Sequence, residues 1–170
     1  MKVDRILQGG IFVMLFAFVG VLYLSLHDNV VKAGDKAPRF SIKTDNGKII
    51  TARDFGGKLL ILNFWATWCE PCIAEVPSLN QLQRALGPQG VVVVGVSQDE
   101  DPKAYQNFLS RFRVSYLTAR QPSKDIQLMY GTVKIPETYL IDRNGKVVEK
   151  VVSDADWASP RMIEHVQSLL

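Results

Sequence analysis

The sequence predicts an α/β domain of three layers, helices on both faces of one sheet, preceded by a single membrane-spanning helix. Three observations predict it. An uncharged apolar run lies near the N-terminus, two near-continuous apolar segments flank a stretch with helical spacing, and an alternating hairpin precedes an amphipathic C-terminal segment. With 170 residues, 47% of them apolar, the chain has room for one ordinary domain plus a short extra segment and for a packed core. Its formal charge of +3 comes from Lys and Arg dispersed along the chain, which speaks against a nucleic-acid partner, since that would need a concentrated basic stripe.

The first element is the run Ile6 to Leu26, which contains no charged side chain. At ~1.5 Å per residue it spans ~30 Å, the thickness of a bilayer's hydrocarbon core. Globular helices of that length normally carry a polar face, so a transmembrane helix over 6–26 is expected rather than a buried core helix. Lys2 and Arg5 precede the run, while His27 and Asp28 follow it. The positive-inside tendency therefore leaves residues 1–5 in the cytoplasm and exports everything beyond. Val31-Lys32-Ala33 is a weak and late version of a signal-peptidase site, so an uncleaved signal-anchor is expected, with cleavage as the alternative. Residues 27–33 then form a tether and 34–170 the exported domain.

Within the domain, Arg39 to Lys43 alternates, Thr44-Asp45-Asn46-Gly47 supplies a turn, and Lys48 to Thr51 continues, which is a hairpin. Leu59 to Trp65 is an apolar run suited to a central strand buried on both faces. From about Pro71 to Leu86, Ile73, Val76, Leu79, Leu82 and Leu86 recur three or four apart; Gly87-Pro88 and Gly90 stop that helix. Val91 to Val96 is a second buried strand, and strand-helix-strand with this crossover implies a parallel, right-handed unit. Asp101 can cap the next helix, with Pro102 in its first turn and Tyr105, Phe108, Leu109 and Phe112 within it. A shorter helix covers Ser123 to Tyr130. Thr138 to Asp142 and Lys146 to Val152 form a second hairpin about Asn144-Gly145. The last helix, about Ala158 to Leu170, presents Met162, Ile163, Val166 and Leu169. A parallel unit, an antiparallel hairpin and a closing helix make a thioredoxin-like sheet.

The chain has two cysteines, in Trp68-Cys69-Glu70-Pro71-Cys72, where the first buried strand hands over to its helix. A bridge closing so short a loop removes little denatured-state entropy, so the pair reads as chemistry rather than as a staple. Three residues apart at a helix start, the sulfurs fall on one side and can approach bonding distance. Unpaired N–H groups and the helix dipole favour a thiolate on Cys69, and Pro71 suits a first-turn position. Thiols so placed fall from a pKa of ~8.5 toward ~3.5–7.5. Cys69 would then attack a substrate disulfide and Cys72, set deeper, would resolve the mixed disulfide. A tetrahedral zinc site would need further ligands, and the chain offers only His27 and His165 beyond the pair, so neither a metal nor any cofactor besides the cysteine couple is expected.

Asn63-Phe64-Trp65-Ala66-Thr67-Trp68-Cys69-Glu70-Pro71-Cys72 closely resembles the active-site segment of the ResA/TlpA-like thiol-disulfide oxidoreductases of the thioredoxin superfamily, and Cys-Glu-Pro-Cys is most similar to the ResA branch. The resemblance runs from about Gly34 to the C-terminus. It implies a thioredoxin-like α/β/α sandwich with an N-terminal β-hairpin and an inserted helix. It implies a bacterial extracytoplasmic monomer that reduces disulfides of exported proteins, typically apocytochrome c before haem attachment, with electrons from a membrane thiol carrier of the CcdA/DsbD kind. Ile135-Pro136-Glu137-Thr138 corresponds to a loop whose cis-proline faces the cysteines and presents backbone to the substrate as an added strand. An ordinary trans-proline before a strand is the plain alternative. Glu75 matches an acidic residue that adjusts the acidity of the cysteines; by itself, a glutamate early in a helix reads as a solvated charge favoured by the dipole. Glu70 opposes the dipole at Cys69 by like charge, raising the thiol's pKa where the helix end lowers it. Trp65 is expected in the core, Trp68 as a wall of the site beside Glu70 and Pro71, and Pro77 as a structural kink.

Two rivals come from other classes. Gly34-Asp35-Lys36-Ala37-Pro38-Arg39-Phe40 also resembles the start of peroxiredoxins. Those enzymes place Pro and Thr ahead of their cysteine as P-x-x-x-T-x-x-C, whereas Thr67 stands one residue too close to Cys69 and Leu62 occupies the proline position. A tethered copper chaperone would use a wider cysteine spacing and a distant histidine, both absent.

Overall fold

A computed structural model describes residues 10–21 and 30–170. Residues 10–21 form a helical stretch, α1, whose apolar side chains, Phe12, Met14 and Phe16 among them, are exposed. The expected span 6–26 continues past both ends of this stretch and so lies partly outside the described residues. Among the described residues, no helix is long and apolar enough to cross a membrane.

The domain runs β1 (Ser41–Lys43), β2 (Ile49–Thr51), β3 (Leu59–Trp65), α2 (Glu70–Leu86), β4 (Val91–Ser97), α3 (Pro102–Arg111), β5 (Leu117–Arg120), α4 (Asp125–Met129), β6 (Glu137–Asp142), β7 (Val147–Val152) and α5 (Pro160–Ser168). β1 and β2 pair as a separate antiparallel hairpin, and the main sheet has the order β5-β4-β3-β6-β7. β3 is parallel to β4 from Leu59↔Val91 to Trp65↔Ser97, and antiparallel to β6. This is the expected thioredoxin-like sheet, with α3 and β5 inserted between β4 and α4. β5 is a finding beyond the sequence reading. It is a four-residue edge strand parallel to β4, and Leu-Thr-Ala-Arg carries too little alternation to announce itself.

Burial on both faces explains why β3 and β4 read as continuous apolar runs. On β3, Leu60, Leu62 and Phe64 pack into one cluster with Ile42 and Ile50 of the hairpin and Ile126 of α4. Leu59 and Ile61 point the other way, against Leu79, Leu82 and Leu86 of α2 and Val166 of α5. The two-residue period thus feeds two layers of core from one strand, and each such aliphatic side chain contributes ~1.5–3 kcal/mol by leaving water. A third cluster, Trp65, Cys69, Cys72, Val76, Tyr105 and Phe108, lies where β3 runs into α2 and α3 packs alongside. Asp101 caps α3, accepting from Lys103 N at 2.7 Å, as its position before Pro102 implied.

Close packing of the domain begins at Val31, inside the range expected for the tether. Val31 is buried with Phe40 and Tyr130, and its N–H donates to Tyr130 O at 3.1 Å. Gly34 N donates to Val147 O, and Val147 N to Asp35 O. Residues 27–29 of the expected tether lie outside the described ones.

Candidate active site

The redox pair sits where strand chemistry ends and helix chemistry begins. Cys69, in extended conformation, is the N-cap of α2, and its sulfur accepts from Cys72 N at 3.4 Å. The two are joined by a disulfide with Cα atoms 5.2 Å apart. Pro71 occupies the first turn, where a missing N–H costs nothing. In the reduced form, the donor-rich helix end faces Cys69 and favours its thiolate. Both sulfurs are largely covered, Cys69 at 6% and Cys72 at 2% exposure, so Cys72 is the deeper of the two. Trp68 stands 67% exposed beside them, while Trp65 is core at 1%. Glu70 and Pro71 are on the surface.

The Ile135–Pro136 peptide bond is cis. Half-buried Ile135 packs against the cluster that contains both sulfurs, so the loop before β6 meets the α2 N-terminus although it lies some sixty residues along the chain. Pro136 is buried, and its carbonyl accepts from Ser153 N at 3.1 Å.

Glu75 is not the solvated charge that a glutamate early in a helix suggests. It is 2% exposed, one turn beyond Cys72 on the same helix. Its Oε1 accepts from Trp157 Nε1 at 2.7 Å and from Ala155 N at 3.1 Å, and its Oε2 faces Asn63 Nδ2 at 3.5 Å. Burial raises its pKa from 4.5 to about 7; the three donors pull it down less than burial lifts it, and the nearby Asp154 charge adds a further small rise. A cleft of about 610 Å³ between α2 and the loop ahead of α5 is bordered by Glu75, Asp154 and Asp156. It offers water a route to the carboxyl.

The sequence reading missed the group that holds the cysteine turn in place. Asp99, 3% exposed just past β4, accepts from Thr67 N at 3.0 and 3.2 Å and from Thr67 Oγ1 at 2.7 Å. Ser97 Oγ completes its shell at 2.5 Å. Thr67 lies two residues before Cys69, whose own N–H donates to Ala66 O, so Asp99 pins the chain that leads into Cys69. The position that the peroxiredoxin pattern gives to threonine is Ala66, and the neighbouring Thr67 hydroxyl donates to Asp99. Trp157 was missed because it lies 82 positions from Glu75, and Asn63 was read only as the start of the cysteine-bearing segment. A position just past the C-terminal end of a parallel strand beside the cysteine strand was the one available signal for Asp99.

The AhpC/TSA family model matches residues 33–150, a span that contains both cysteines and the Ile135–Pro136 loop. ResA thiol-disulfide oxidoreductase of Bacillus thuringiensis is 35% identical over 121 residues, which is 71% of this chain and 70% of that one. The Bacillus subtilis ResA is 36% identical over 121 residues, 71% of this chain and 68% of its own length. Among solved structures, a Chlorobium tepidum protein described as a putative thiol:disulfide interchange protein DsbE superposes with a TM-score of 0.69 at 32% identity, covering 82% of this chain and 95% of that one. Fold, cysteine pair and relatives agree: the chain belongs to the AhpC/TSA family and is a thiol-disulfide oxidoreductase of ResA-like kind.

Proposed function

We propose that the protein is a membrane-anchored, extracytoplasmic reductant of protein disulfides that serves cytochrome c maturation. The observation that carries the reading is the Cys69–Cys72 disulfide at the N-terminus of α2, with a buried Glu75, its pKa raised to about 7, one turn behind it. In the reduced enzyme the Cys69 thiolate attacks one sulfur of a substrate disulfide. A mixed disulfide forms and one substrate thiolate leaves, taking a proton from water. The Cys72 thiol gives its proton to Glu75, whose pKa near neutrality suits it to hold and release one. The Cys72 thiolate then attacks Cys69 Sγ, closing the disulfide and freeing the second substrate sulfur as a thiolate, which takes up the proton that Glu75 releases. Two electrons pass to the substrate, and a membrane thiol carrier of the CcdA/DsbD kind returns two.

Trp68, Glu70, Pro71, Ile135 and Pro136 are assigned to contact with the substrate chain, the exposed Trp68 ring as an apolar wall and the Ile135–Pro136 loop as a backbone edge. The apolar run 6–26 and its flanking charges support a single-pass anchor with the N-terminus in the cytoplasm and the catalytic domain outside. The relatives' name, thiol-disulfide oxidoreductase, supports protein disulfides as the substrate class; apocytochrome c comes from the Cys-Glu-Pro-Cys resemblance.

The test is substrate trapping. Cys72→Ala, expressed in the membrane, leaves Cys69 unable to be resolved. Mass spectrometry of the adducts is expected to find exported proteins, c-type apocytochromes among them, linked through Cys69. An accessible Cys69 that collects no adduct would overturn the assigned roles.

A further inference from the structure

The domain of residues 30–170 has six exposed large apolar side chains, and three of them, Leu128 (67%), Met129 (43%) and Val133 (94%), fall within six consecutive residues on α4 and the loop after it. The chain enters the domain at the same place, since Val31 N donates to the carbonyl of Tyr130, between Met129 and Val133. From Leu26, the last apolar residue of the expected span, only four residues intervene before Val31. Fully extended, those five steps cover at most about 18 Å. The headgroup zone on each side of the hydrocarbon core is itself about 5–8 Å thick. Past the headgroup zone that reach leaves at most about 10–13 Å, so the tether keeps Tyr130 and α4 beside the membrane surface.

On that basis we propose that the outer face of α4 and residues 131–134 dock on the bilayer, with Leu128, Met129 and Val133 sunk into the headgroup–acyl boundary. The inference rests on the membrane-anchor reading above and extends it to a second, interfacial contact. Exposed Lys124 and Lys134 flank the apolar segment in sequence and exposed Lys32 follows the Val31 that bonds to it; with Asp35 and Asp125 these leave one net positive charge. An apolar tip with net positive charge beside it fits a membrane carrying anionic lipid. Val133 and Lys134 directly precede Ile135, which packs on the cysteine cluster, so docking would hold the disulfide edge close to the lipid, within reach of a dithiol carried by an integral membrane protein.

The experiment uses the full chain in vesicles of zwitterionic and anionic phospholipid. Cys69→Ser and Cys72→Ser remove the native thiols, and single nitroxide labels are placed through Leu128→Cys, Val133→Cys, Phe16→Cys and Glu164→Cys. Glu164 is exposed on α5, which packs on the opposite face of the sheet from α4. Collision with lipid-soluble oxygen is compared with collision with a water-soluble nickel complex. Labels at 128 and 133 are expected to favour oxygen several-fold over the label at 164, at a depth of about 5–10 Å, and to lose that preference in vesicles without anionic lipid at high salt. If the label at 16 lies in hydrocarbon while those at 128 and 133 behave like that at 164, docking is refuted and the anchor stands. If the label at 16 faces water, the anchor fails and docking with it. A Leu128→Ser/Met129→Ser/Val133→Ser chain in detergent distinguishes a protein-binding role: loss of peptide-disulfide reduction there, with no bilayer present, would assign the patch to substrate and overturn the proposal.

Discussion

Replacing Glu75 with glutamine separates a buried proton store from a merely structural carboxyl. In the folded chain Glu75 keeps its proton up to about 7, against 4.5 for the free group. Between those values the folded state binds more protons than the unfolded one, so stability is full below about 4.5 and declines as pH rises through the window. The gap of roughly two and a half units, at ~1.4 kcal/mol each, makes the native fold about 3 kcal/mol less stable above pH 7 than it would be with an unperturbed group. In Glu75→Gln the amide keeps an oxygen for Trp157 Nε1 and Ala155 N but carries no titratable proton. The assay is urea unfolding of the oxidised protein in detergent, followed by near-ultraviolet circular dichroism, at intervals from pH 4.5 to 8. Oxidised cysteines do not titrate, and every other group is common to both chains, so the wild-type-minus-variant difference isolates residue 75. That difference is expected to change by about 3 kcal/mol across the window, with the variant more stable relative to wild type at high pH. Parallel pH curves for the two proteins would refute the account of Glu75.

Trp157→Phe removes the strongest donor to Glu75 while keeping most of the buried ring, so the carboxyl's pKa should rise further. The midpoint of the pH profile for mixed-disulfide resolution should move upward with it, and an unmoved midpoint would count against the coupling. Asp99→Ala leaves Thr67 N and Ser97 Oγ without their acceptor and should cost about 1–3 kcal/mol in urea unfolding, together with slower attack by Cys69 in stopped-flow thiol exchange. Full activity at reduced stability would show that the turn needs no anchoring. Gly95→Ala would place a Cβ 2.8 Å from Trp65 Nε1 and 3.0 Å from Tyr116, an overpacking cost of about 1–3 kcal/mol visible as a lowered melting temperature.

Local periodicity made most of the fold legible. Leu59–Trp65 reads as a strand because both its faces are buried, and the α2 spacing survives Pro77 because the apolar positions continue through it. Asn-Gly and Asp-Pro signals marked turn and cap. β5 was hidden because a short edge strand takes its identity from its neighbour β4 rather than from its own pattern. The cysteine pair was legible for the same local reason, being adjacent in chain and in space. What escaped was the support around it. Asp99 reaches Thr67 across 32 positions and Trp157 reaches Glu75 across 82, and no spacing rule links such residues before the sheet brings β3, β4 and the α5 approach together. Residue type misled in one case: Glu75 looks like a surface charge until the loop from Asp154 to Trp157 closes over it.

A redox titration of Cys69 and Cys72 against defined thiol–disulfide buffers tests the central chemistry directly, with the two states counted by thiol alkylation and mass. The account predicts one reversible two-electron transition, tenfold per ~30 mV, with a midpoint more reducing than about −200 mV, as suits a donor of electrons to exported disulfides. A pair that stays locked under strong reductant, or a midpoint near the about −120 mV of a strong oxidant, would contradict it.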